Sequence, residues 1–271
     1  MTINRICISI NNRCNLKCRY CHFNEKGNIE AQDMDVFKIL DNVISYTDQK
    51  FKIGFVGNGE GFLDWSLLKS YIQYIAKYPN ISAYTITNGT INLPDEDWKF
   101  LENHKINVGF SIDGYKELHN LYRGNSFDRA MKTVENYKSI TGHYPTFNAT
   151  VGKETLENAD KVIEFFKQFG TRVTFSRMIG KYGISLHEYR DFLEKAEKEI
   201  PVRRGGKDCT MYGGQCGAGT NNYFFANGMV YFCGNCIDLP PVATSDTPFE
   251  ELEKINLEFD RNYCYKEALC E

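Results

Sequence analysis

Three cysteines near the start of the chain have a spacing that suits an iron–sulfur site. Cys14, Cys18 and Cys21 follow a C-x3-C-x2-C pattern. They come directly after the apolar run Arg5–Ile10, which is predicted to be a buried first strand. Thiolates hold iron–sulfur clusters, and a [4Fe-4S] cubane normally takes four of them. Three cysteines can bind one face of a cubane and leave its fourth iron open to a small molecule.

A zinc site is the alternative interpretation of these thiols. Zinc sites use two CxxC pairs or mixed Cys and His ligands, and His22 could add a ligand here. The cysteines could also be unrelated core thiols. However, four of the ten lie in the first 21 residues, six lie from Cys209 onward and none lies between. Random core thiols would not segregate in this way, so the distribution favours metal.

Length and charge narrow the functional classes. A chain of 271 residues can bury a full core. Its net charge of −3 gives no electrostatic case for a nucleic-acid partner or an anionic membrane surface. No apolar signal region opens the chain, and no apolar run approaches the ~18 residues that span a bilayer. We therefore expect a cytoplasmic protein whose cysteines serve metal rather than a secreted disulfide framework.

Between the two cysteine groups, short apolar strands alternate with amphipathic helices. Six βα units in succession predict a parallel sheet with right-handed crossovers. The predicted strands are Arg5–Ile10, Lys52–Gly57, Ser82–Thr87, Asn107–Ile112, Thr146–Val151 and Arg172–Arg177. The predicted helices are Met34–Tyr46, Asp64–Tyr78, Asp95–Asn103, Phe127–Ile140, Leu156–Phe169 and His187–Glu199.

Candidate binding residues follow the predicted strands. The second strand runs into Gly57-Asn58-Gly59-Glu60, where glycines let the backbone approach a ligand and Glu60 can accept hydrogen bonds from an ammonium group. Ser111 and Asp113 end the fourth strand, and Arg123 follows. An Asp before a glycine is often only a turn residue, and an Arg here could be a surface charge.

Together these motifs resemble the radical S-adenosylmethionine (radical SAM) superfamily. The "TNGT" and "SIDG…H…RG" segments are similar to the subgroup that modifies peptides and proteins, which includes the anaerobic sulfatase-maturing enzymes. The resemblance implies an open, six-stranded partial TIM barrel, a (β/α)6 fold of the α/β class. It also implies a [4Fe-4S] cluster on Cys14, Cys18 and Cys21, with SAM bound at the C-terminal ends of the strands.

The resemblance further assigns residues to SAM. Gly57, Asn58, Gly59 and Glu60 correspond to the segment that grips the SAM amino group, with Asn58 in place of the usual first glycine. Ser111 is expected to contact SAM, whereas Asp113 and Arg123 are weaker candidates, Arg123 near the SAM carboxylate.

The cysteines after residue 208 resemble the SPASM/twitch domains appended to radical SAM barrels. We expect a partial barrel over residues 1–200 and a small cysteine-rich, twitch-like domain over 201–271. Asn227-Gly228 predicts a hairpin turn. An auxiliary [4Fe-4S] cluster would take Cys209, Cys216 and Cys233. Cys264 and Cys270 compete for the fourth position, and Cys236 is the spare, although a zinc ribbon that includes Cys233 and Cys236 is an alternative. Cys7 is expected to be a buried apolar residue.

Three functions remain open. The first is the oxidation, cross-linking or epimerisation of a residue in a peptide or protein, with a flavodoxin- or ferredoxin-type electron donor. Tyr212, Tyr223 and Tyr231 could line the substrate groove. Because the first strand comes so early, no leader-binding domain is expected before the barrel. The second is dehydrogenation of a small molecule such as an aminocyclitol. The third is a non-catalytic iron–sulfur electron carrier, which would not need Glu60 or Ser111.

Overall fold

The computed structural model describes residues 3–21, 23, 34–203 and 209–268. Nine strands form one sheet. Their bounds are β1 (Arg5–Ile8), β2 (Phe51–Phe55), β3 (Ile81–Thr87), β4 (Asn107–Ser111), β5 (Thr146–Val151), β6 (Val173–Arg177), β7 (Asn222–Ala226), β8 (Met229–Tyr231) and β9 (Ala243–Thr244). The strand order is β6-β5-β4-β3-β2-β1-β7-β8-β9. Within the described residues β6 and β9 do not pair, so the curved sheet stays open. The predicted partial barrel is confirmed.

The helices follow the strands in the expected alternation. Their bounds are α1 (Val36–Tyr46), α2 (Trp65–Ile75), α3 (Asp95–Asn103), α4 (Lys116–Arg123), α5 (Phe127–Thr141), α6 (Lys153–Glu157), α7 (Ala159–Lys167), α8 (Leu186–Glu197), α9 (Phe249–Leu252) and α10 (Tyr265–Ala268). Local signals set several ends: Ser185 and Glu188 form a capping box at the start of α8, and Gly142 ends α5 in the left-handed conformation. No described helix has the length and apolarity needed to cross a membrane.

The alternation of side chains along β2 separates the core from the barrel interior. Phe51, Ile53 and Phe55 are buried in the main apolar core, and Phe55 stacks on Tyr71 of α2. Lys52, on the opposite face, lines an internal cavity. The strands β1 to β6 pair in parallel, so their C-terminal ends lie at one edge of the sheet. The six βα units therefore bring the motif loops together.

The C-terminal hairpin extends the barrel sheet. β7 pairs in parallel with β1, and β8 pairs antiparallel with β7. Asn227 and Gly228 connect them with φ values of 54° and 71°, the positive values of a two-residue turn. The predicted hairpin is confirmed. The sheet thus continues through the proposed boundary near residue 200, and the division into two domains stays a prediction.

Two helix predictions need correction. The helix predicted over Leu156–Phe169 is broken at Asn158, which separates α6 from α7. The Asn158 side-chain amide donates to the carbonyl oxygen of Glu154 at 2.9 Å and replaces the backbone donor of a continuous helix. The sequence analysis also missed α4, an eight-residue helix. Its buried side includes His119, which weakens the apolar pattern by which helices are recognised.

Candidate active site

The three N-terminal cysteines lie on the loop that leaves β1 at the C-terminal edge of the sheet. The Cys18 thiol interacts electrostatically with those of Cys21 and Cys14, so the three side chains converge. The Cys21 amide donates to the carbonyl oxygen of Cys18 at 3.1 Å, which closes the segment between them. Burial raises the pKa of Cys18 to about 11. A buried thiolate therefore needs a cationic partner, and this donor set fits the irons of a cluster.

The glycine-rich loop after β2 is clamped to the cysteine loop. The Glu60 amide donates to the carbonyl oxygen of Arg13 at 2.7 Å, and the Asn58 amide donates to Ser9 Oγ at 2.8 Å. A Cβ on Gly59 would stand 2.4 Å from that same carbonyl oxygen, and one on Gly57 would stand 2.3 Å from the Cβ of Ser9. Glycine is required at both positions because the loops touch. The sequence analysis did not foresee the parts played by Ser9 and Arg13.

The Glu60 carboxylate lies behind this contact and is almost fully buried. Its Oε1 accepts hydrogen bonds from Thr87 Oγ1 at 2.9 Å and the Phe62 amide at 3.1 Å, and its Oε2 accepts one from the Asn88 amide at 2.6 Å. Burial raises the pKa of Glu60, while these donors oppose the rise. Oε2 keeps acceptor capacity for another donor. Glu60 therefore braces the loops after β2 and β3, and its contact with the SAM ammonium stays a prediction.

Asn88 connects the Glu60 hydrogen bonds to the cysteine loop. Its side-chain amide donates to Asn15 Oδ1 at 2.8 Å and lies 3.9 Å from the sulfur of Cys14. Asn15 in turn donates to Thr90 Oγ1 at 2.8 Å. In the sequence analysis Asn88 was part of the "TNGT" segment and had no role of its own. Its place directly after a strand of a parallel sheet was the signal that could have shown its closeness to the site.

Asp113 anchors the cysteine loop from the opposite side. The residue is fully buried, and its Oδ1 accepts from the Thr150 amide at 2.8 Å. Its Oδ2 accepts from the Tyr20 hydroxyl at 2.9 Å and from Arg123 Nε at 2.7 Å. Tyr20 stands between two of the predicted cluster ligands, so Asp113 fixes their backbone. The sequence analysis gave Tyr20 no role.

Arg123, at the end of α4, adds a cation beside the cysteines. Its Nη1 lies 4.0 Å from the sulfur of Cys18, and its guanidinium lies 5.4 Å from the centre of the Tyr20 ring. A buried cation at this distance favours a thiolate or an anionic cluster. Contacts from Asp113 and Arg123 to SAM stay predictions, because both side chains already serve the cysteine loop.

Ser111 faces the inside of the barrel. It shares a face of β4 with Gly109, where an added Cβ would stand 2.2 Å from Nδ2 of Asn148, a residue that lines the cavity. No hydrogen bond joins the Ser111 hydroxyl to another described residue. The hydroxyl is therefore free to serve as the predicted SAM contact.

Four cysteines of the C-terminal part also converge. The Cys209 thiol interacts electrostatically with the thiols of Cys233, Cys216 and Cys264. Cys236 hydrogen-bonds to Cys233 and is buried. Cys270 lies outside the described residues. Nowhere in the described chain do three His, Cys, Asp or Glu side chains come close enough to hold one metal ion. In a cubane each thiolate binds a separate iron, so wider spacing is expected there.

One cavity of about 350 Å³ occupies the barrel interior. Gly57 and Asn58 line it at the C-terminal edge of the sheet, and Cys209, Cys216 and Cys233 line it on the hairpin side. Of the three tyrosines expected at a groove, only Tyr212 lines this cavity. Tyr223 is fully buried and donates to the carbonyl oxygen of Leu252 at 2.8 Å, and Tyr231 packs in a small apolar cluster. Cys7 also lines the cavity, so it is not a purely apolar core residue as expected.

Comparison with known proteins decides the family. The model of the radical SAM superfamily matches residues 8–166, more than half of the chain. The chain belongs to the radical SAM superfamily. This superfamily uses a [4Fe-4S] cluster and SAM, so these two of the three predicted cofactors are confirmed.

Two curated relatives come from bacteria. A cysteine-type anaerobic sulfatase-maturating enzyme of Clostridium novyi is 29% identical over 209 residues, which is 67% of this chain and 55% of the relative. The radical SAM cyclopropyl synthase TigE of Paramaledivibacter caminithermalis is 21% identical over 286 residues, which covers 88% of this chain and 60% of TigE. The chain thus spans little more than half the length of the curated relatives it matches.

Solved structures share the fold. The structure described as native anSMEcpe with bound AdoMet superposes with a TM-score of 0.76 at 21% identity, over 97% of this chain and 82% of that chain. Streptococcus suis SuiB bound to its precursor peptide SuiA superposes with a TM-score of 0.73 at 15% identity, over 94% of this chain and 65% of SuiB. These likenesses agree with the open parallel barrel.

Proposed function

We propose that this chain is a radical SAM enzyme that oxidises, cross-links or epimerises a residue of a peptide or protein. The observation that carries the proposal is the cavity of about 350 Å³ between Gly57 and Asn58 on one side and Cys209, Cys216 and Cys233 on the other. A substrate in this cavity would lie between the SAM segment and the second group of thiols. Relatives named for sulfatase maturation, and a neighbour bound to a precursor peptide, support a peptide substrate.

The predicted site residues would bind the cofactors of this reaction. Cys14, Cys18 and Cys21 would hold the cluster, while Glu60 and Ser111 would bind SAM. When bound, the reduced cluster and SAM supply a 5′-deoxyadenosyl radical, which abstracts hydrogen from carbon. The protein then has to orient the substrate and keep water out of the cavity. A flavodoxin- or ferredoxin-type donor of the first electron is part of the proposal.

The convergence of Cys209, Cys216, Cys233 and Cys264 supports an auxiliary [4Fe-4S] cluster. Such a cluster beside the substrate cavity could accept an electron from the substrate and make the net reaction an oxidation. The zinc ribbon needs Cys236, which lies next to Cys233. Iron analysis distinguishes the two.

The alternatives fit the cavity less well. An aminocyclitol carries a protonated amine, whereas the described residues that line the cavity include Arg5, Lys52, Arg172 and Arg203 and no acidic side chain. A cationic substrate would be repelled. A non-catalytic carrier would need neither the free hydroxyl of Ser111 nor a substrate-sized cavity.

The test is an anaerobic incubation with SAM and a chemical reductant. One arm contains any short peptide that proves to be encoded beside the gene, and the other contains a cysteine-containing sulfatase peptide. We expect one equivalent of 5′-deoxyadenosine for each modified residue. A loss of about 2 Da means dehydrogenation or cross-linking, and a loss of about 18 Da from the cysteine peptide means conversion of the thiol-bearing carbon to an aldehyde with release of sulfide. One deuterium gained from D2O at otherwise unchanged mass means epimerisation. If both peptides stay untouched while a cyclitol is oxidised, the proposal is wrong.

A further inference from the structure

Four basic residues surround the end of the cavity opposite the SAM segment. Arg5 and Lys52 lie at the starts of β1 and β2, and Arg172 directly precedes β6. Arg203 is placed beside them because Val202 forms a bridge with Val173. All four line the cavity, and no acidic residue in the described part of the chain lines it with them. We call these four residues the basic end of the cavity.

No described acidic residue pairs with Lys52 or Arg172 at the basic end. Burial lowers the pKa of Lys52, and the positive charges of Arg203, Arg5 and Arg172 lower it further. The Lys52 ammonium lies 4.9 Å from the centre of the Tyr84 ring, a contact that holds the cation without supplying an anion. Charges of one sign collected in a concave, partly buried site attract an oppositely charged group.

The auxiliary cysteines do not explain all four cations. Arg5 acts on the thiol of Cys233 and lowers its pKa, and its Nε donates to Asn222 Oδ1 at 3.2 Å. Arg5 can therefore balance the negative charge of a cluster. The interactions of Lys52 are instead with the other three cations, with Cys7 and with Tyr84. Arg203, like Arg5, acts on Tyr212, which itself interacts with Cys209. Arg172 interacts with Lys52 and forms no ion pair with a described acidic residue, so Lys52 and Arg172 are the cations that need another anion.

We propose that Lys52 and Arg172 bind a carboxylate of the peptide substrate, either an acidic side chain or the C-terminal carboxylate. This inference rests on the proposed function. It narrows the substrate class to peptides whose carboxylate lies at a set distance from the modified residue. From Lys52 to Gly57 the strand rises ~16 Å at about 3.3 Å per residue. An extended peptide covers this length in about five residues. The modified residue therefore lies about four to six residues from the carboxylate.

The test measures binding and not turnover. Holoenzyme with SAM is titrated at low salt with three acetylated pentapeptides of alanine. The first ends in a glutamate amide, the second ends in a glutamine amide, and the third ends in alanine with a free carboxylate. A charge-assisted bond corresponds to about tenfold or more in affinity, so we expect tighter binding of a carboxylate peptide than of the glutamine amide. The first and third peptides separate the two sources of carboxylate.

Substitutions test whether the basic end causes the preference for a carboxylate peptide. The double change Lys52→Gln and Arg172→Gln should abolish the carboxylate preference, and Lys52→Arg with Arg172→Lys should keep it. The matched control, Lys99→Gln with Arg129→Gln, changes two exposed cations on α3 and α5 and should also keep it.

Several outcomes overturn the proposal. Equal affinity for all three peptides, or no binding of any of them, means that the basic end does not select a carboxylate. A drop in iron content in the double variant with the preference unchanged assigns these cations to the auxiliary cluster. If the preference appears but no peptide is ever modified, the carboxylate site stands and the proposed function fails.

Discussion

Among single residues, Glu60 has one structural role and one predicted role in binding SAM. Its carboxylate accepts hydrogen bonds from the Thr87 hydroxyl and from the amides of Phe62 and Asn88, so it holds the loops after β2 and β3 together. The same negative charge is the predicted partner of the SAM ammonium. Glu60→Gln removes the charge and can keep the acceptor for Thr87 and Phe62, but its amide nitrogen cannot accept from the Asn88 amide.

We expect Glu60→Gln to weaken SAM binding by about tenfold to a hundredfold, because a hydrogen bond to a charged group contributes roughly 1.5–3 kcal/mol. The measurement is equilibrium dialysis of SAM against protein with its iron content verified. Glu96→Gln, an exposed change on α3, is the control. Unaltered SAM affinity in an iron-replete Glu60→Gln protein would show that Glu60 only braces the loops.

Asp113 is the second residue whose carboxylate has several donors. It is fully buried and accepts from Tyr20, Thr150 and Arg123. We expect Asp113→Asn to destabilise the fold by about 3–5 kcal/mol, because Arg123 is left as an uncompensated buried charge. It should also lower iron retention at the N-terminal site, because Tyr20 loses its anchor.

Anaerobic guanidinium unfolding and iron analysis measure these two effects. The matched control is Asp128→Asn, which breaks an ion pair with Lys116 in which both side chains are more than half exposed. Such surface pairs contribute little to stability. An Asp113→Asn protein as stable as this control, and equally rich in iron, would contradict the anchoring role.

At the scale of elements, the short helix α4 matters more than its pattern suggested. It supplies Arg123 to the cysteine loop, and the Arg19 amide donates to the carbonyl oxygen of Tyr122 at 2.8 Å. Asn120 Oδ1 accepts from the Phe127 amide at 3.0 Å and so links α4 to the start of α5. The His119 side chain lies on the buried side of α4, and its Nε2 lies 2.9 Å from Ser126 Oγ. This arrangement makes α4 sensitive to pH.

Burial lowers the pKa of His119 to about 4 from the ordinary value of 6.5. The unfolded chain therefore takes up a proton first as the pH falls. The His119 contribution to stability is complete above pH 6.5 and is lost between pH 6.5 and about 4. We expect it to reduce the free energy of unfolding by about 1.4 kcal/mol per pH unit in this window.

The measurement compares wild type with His119→Gln by denaturant unfolding between pH 5 and 7.5. The difference in stability between the two proteins should shrink as the pH falls, because only the wild type loses this contribution. His187→Gln, at an exposed position on α8, should follow the wild type. A constant difference between wild type and His119→Gln across the range would show that His119 does not titrate as inferred.

At the scale of the whole molecule, two groups of thiols flank one barrel. The first stands at the C-terminal edge of the sheet and the second beside the cavity on the hairpin side. We expect about eight irons and eight sulfides per chain after anaerobic reconstitution, since each [4Fe-4S] cluster holds four. The triple change of Cys14, Cys18 and Cys21 to Ala should leave about four irons and abolish SAM cleavage.

The reciprocal variant is the control for this count. Changing Cys209, Cys216, Cys233 and Cys264 to Ala should also leave about four irons, but SAM cleavage should persist because the first cluster is intact. Zinc in place of iron at either site would contradict the two-cluster assignment. A full iron count in the reciprocal variant would mean that other cysteines hold the second cluster.

The family, the alternation of strands and helices and the N-terminal cysteine motif could all be predicted from the sequence. These features are local, because thiol spacing, glycines after a strand and apolar periodicity each depend on a short segment of consecutive residues. The turn at Asn227-Gly228 could be predicted for the same reason, since its backbone needs two residues that tolerate positive φ.

Which residues from distant parts of the chain come into contact could be seen only in the tertiary structure. The donors to Glu60, the Asp113–Arg123–Tyr20 network and the four cations of the basic end come from strands, helices and loops in different parts of the chain. Single helical breaks such as Asn158 were also hidden, because a side chain that competes for a backbone carbonyl leaves the apolar period unchanged. In a parallel sheet, residues far apart in the chain share an edge or a cavity because of strand order and register. Periodicity within one segment shows which side chains face the core, but it does not show which strands are neighbours or which residues of a neighbouring strand lie alongside.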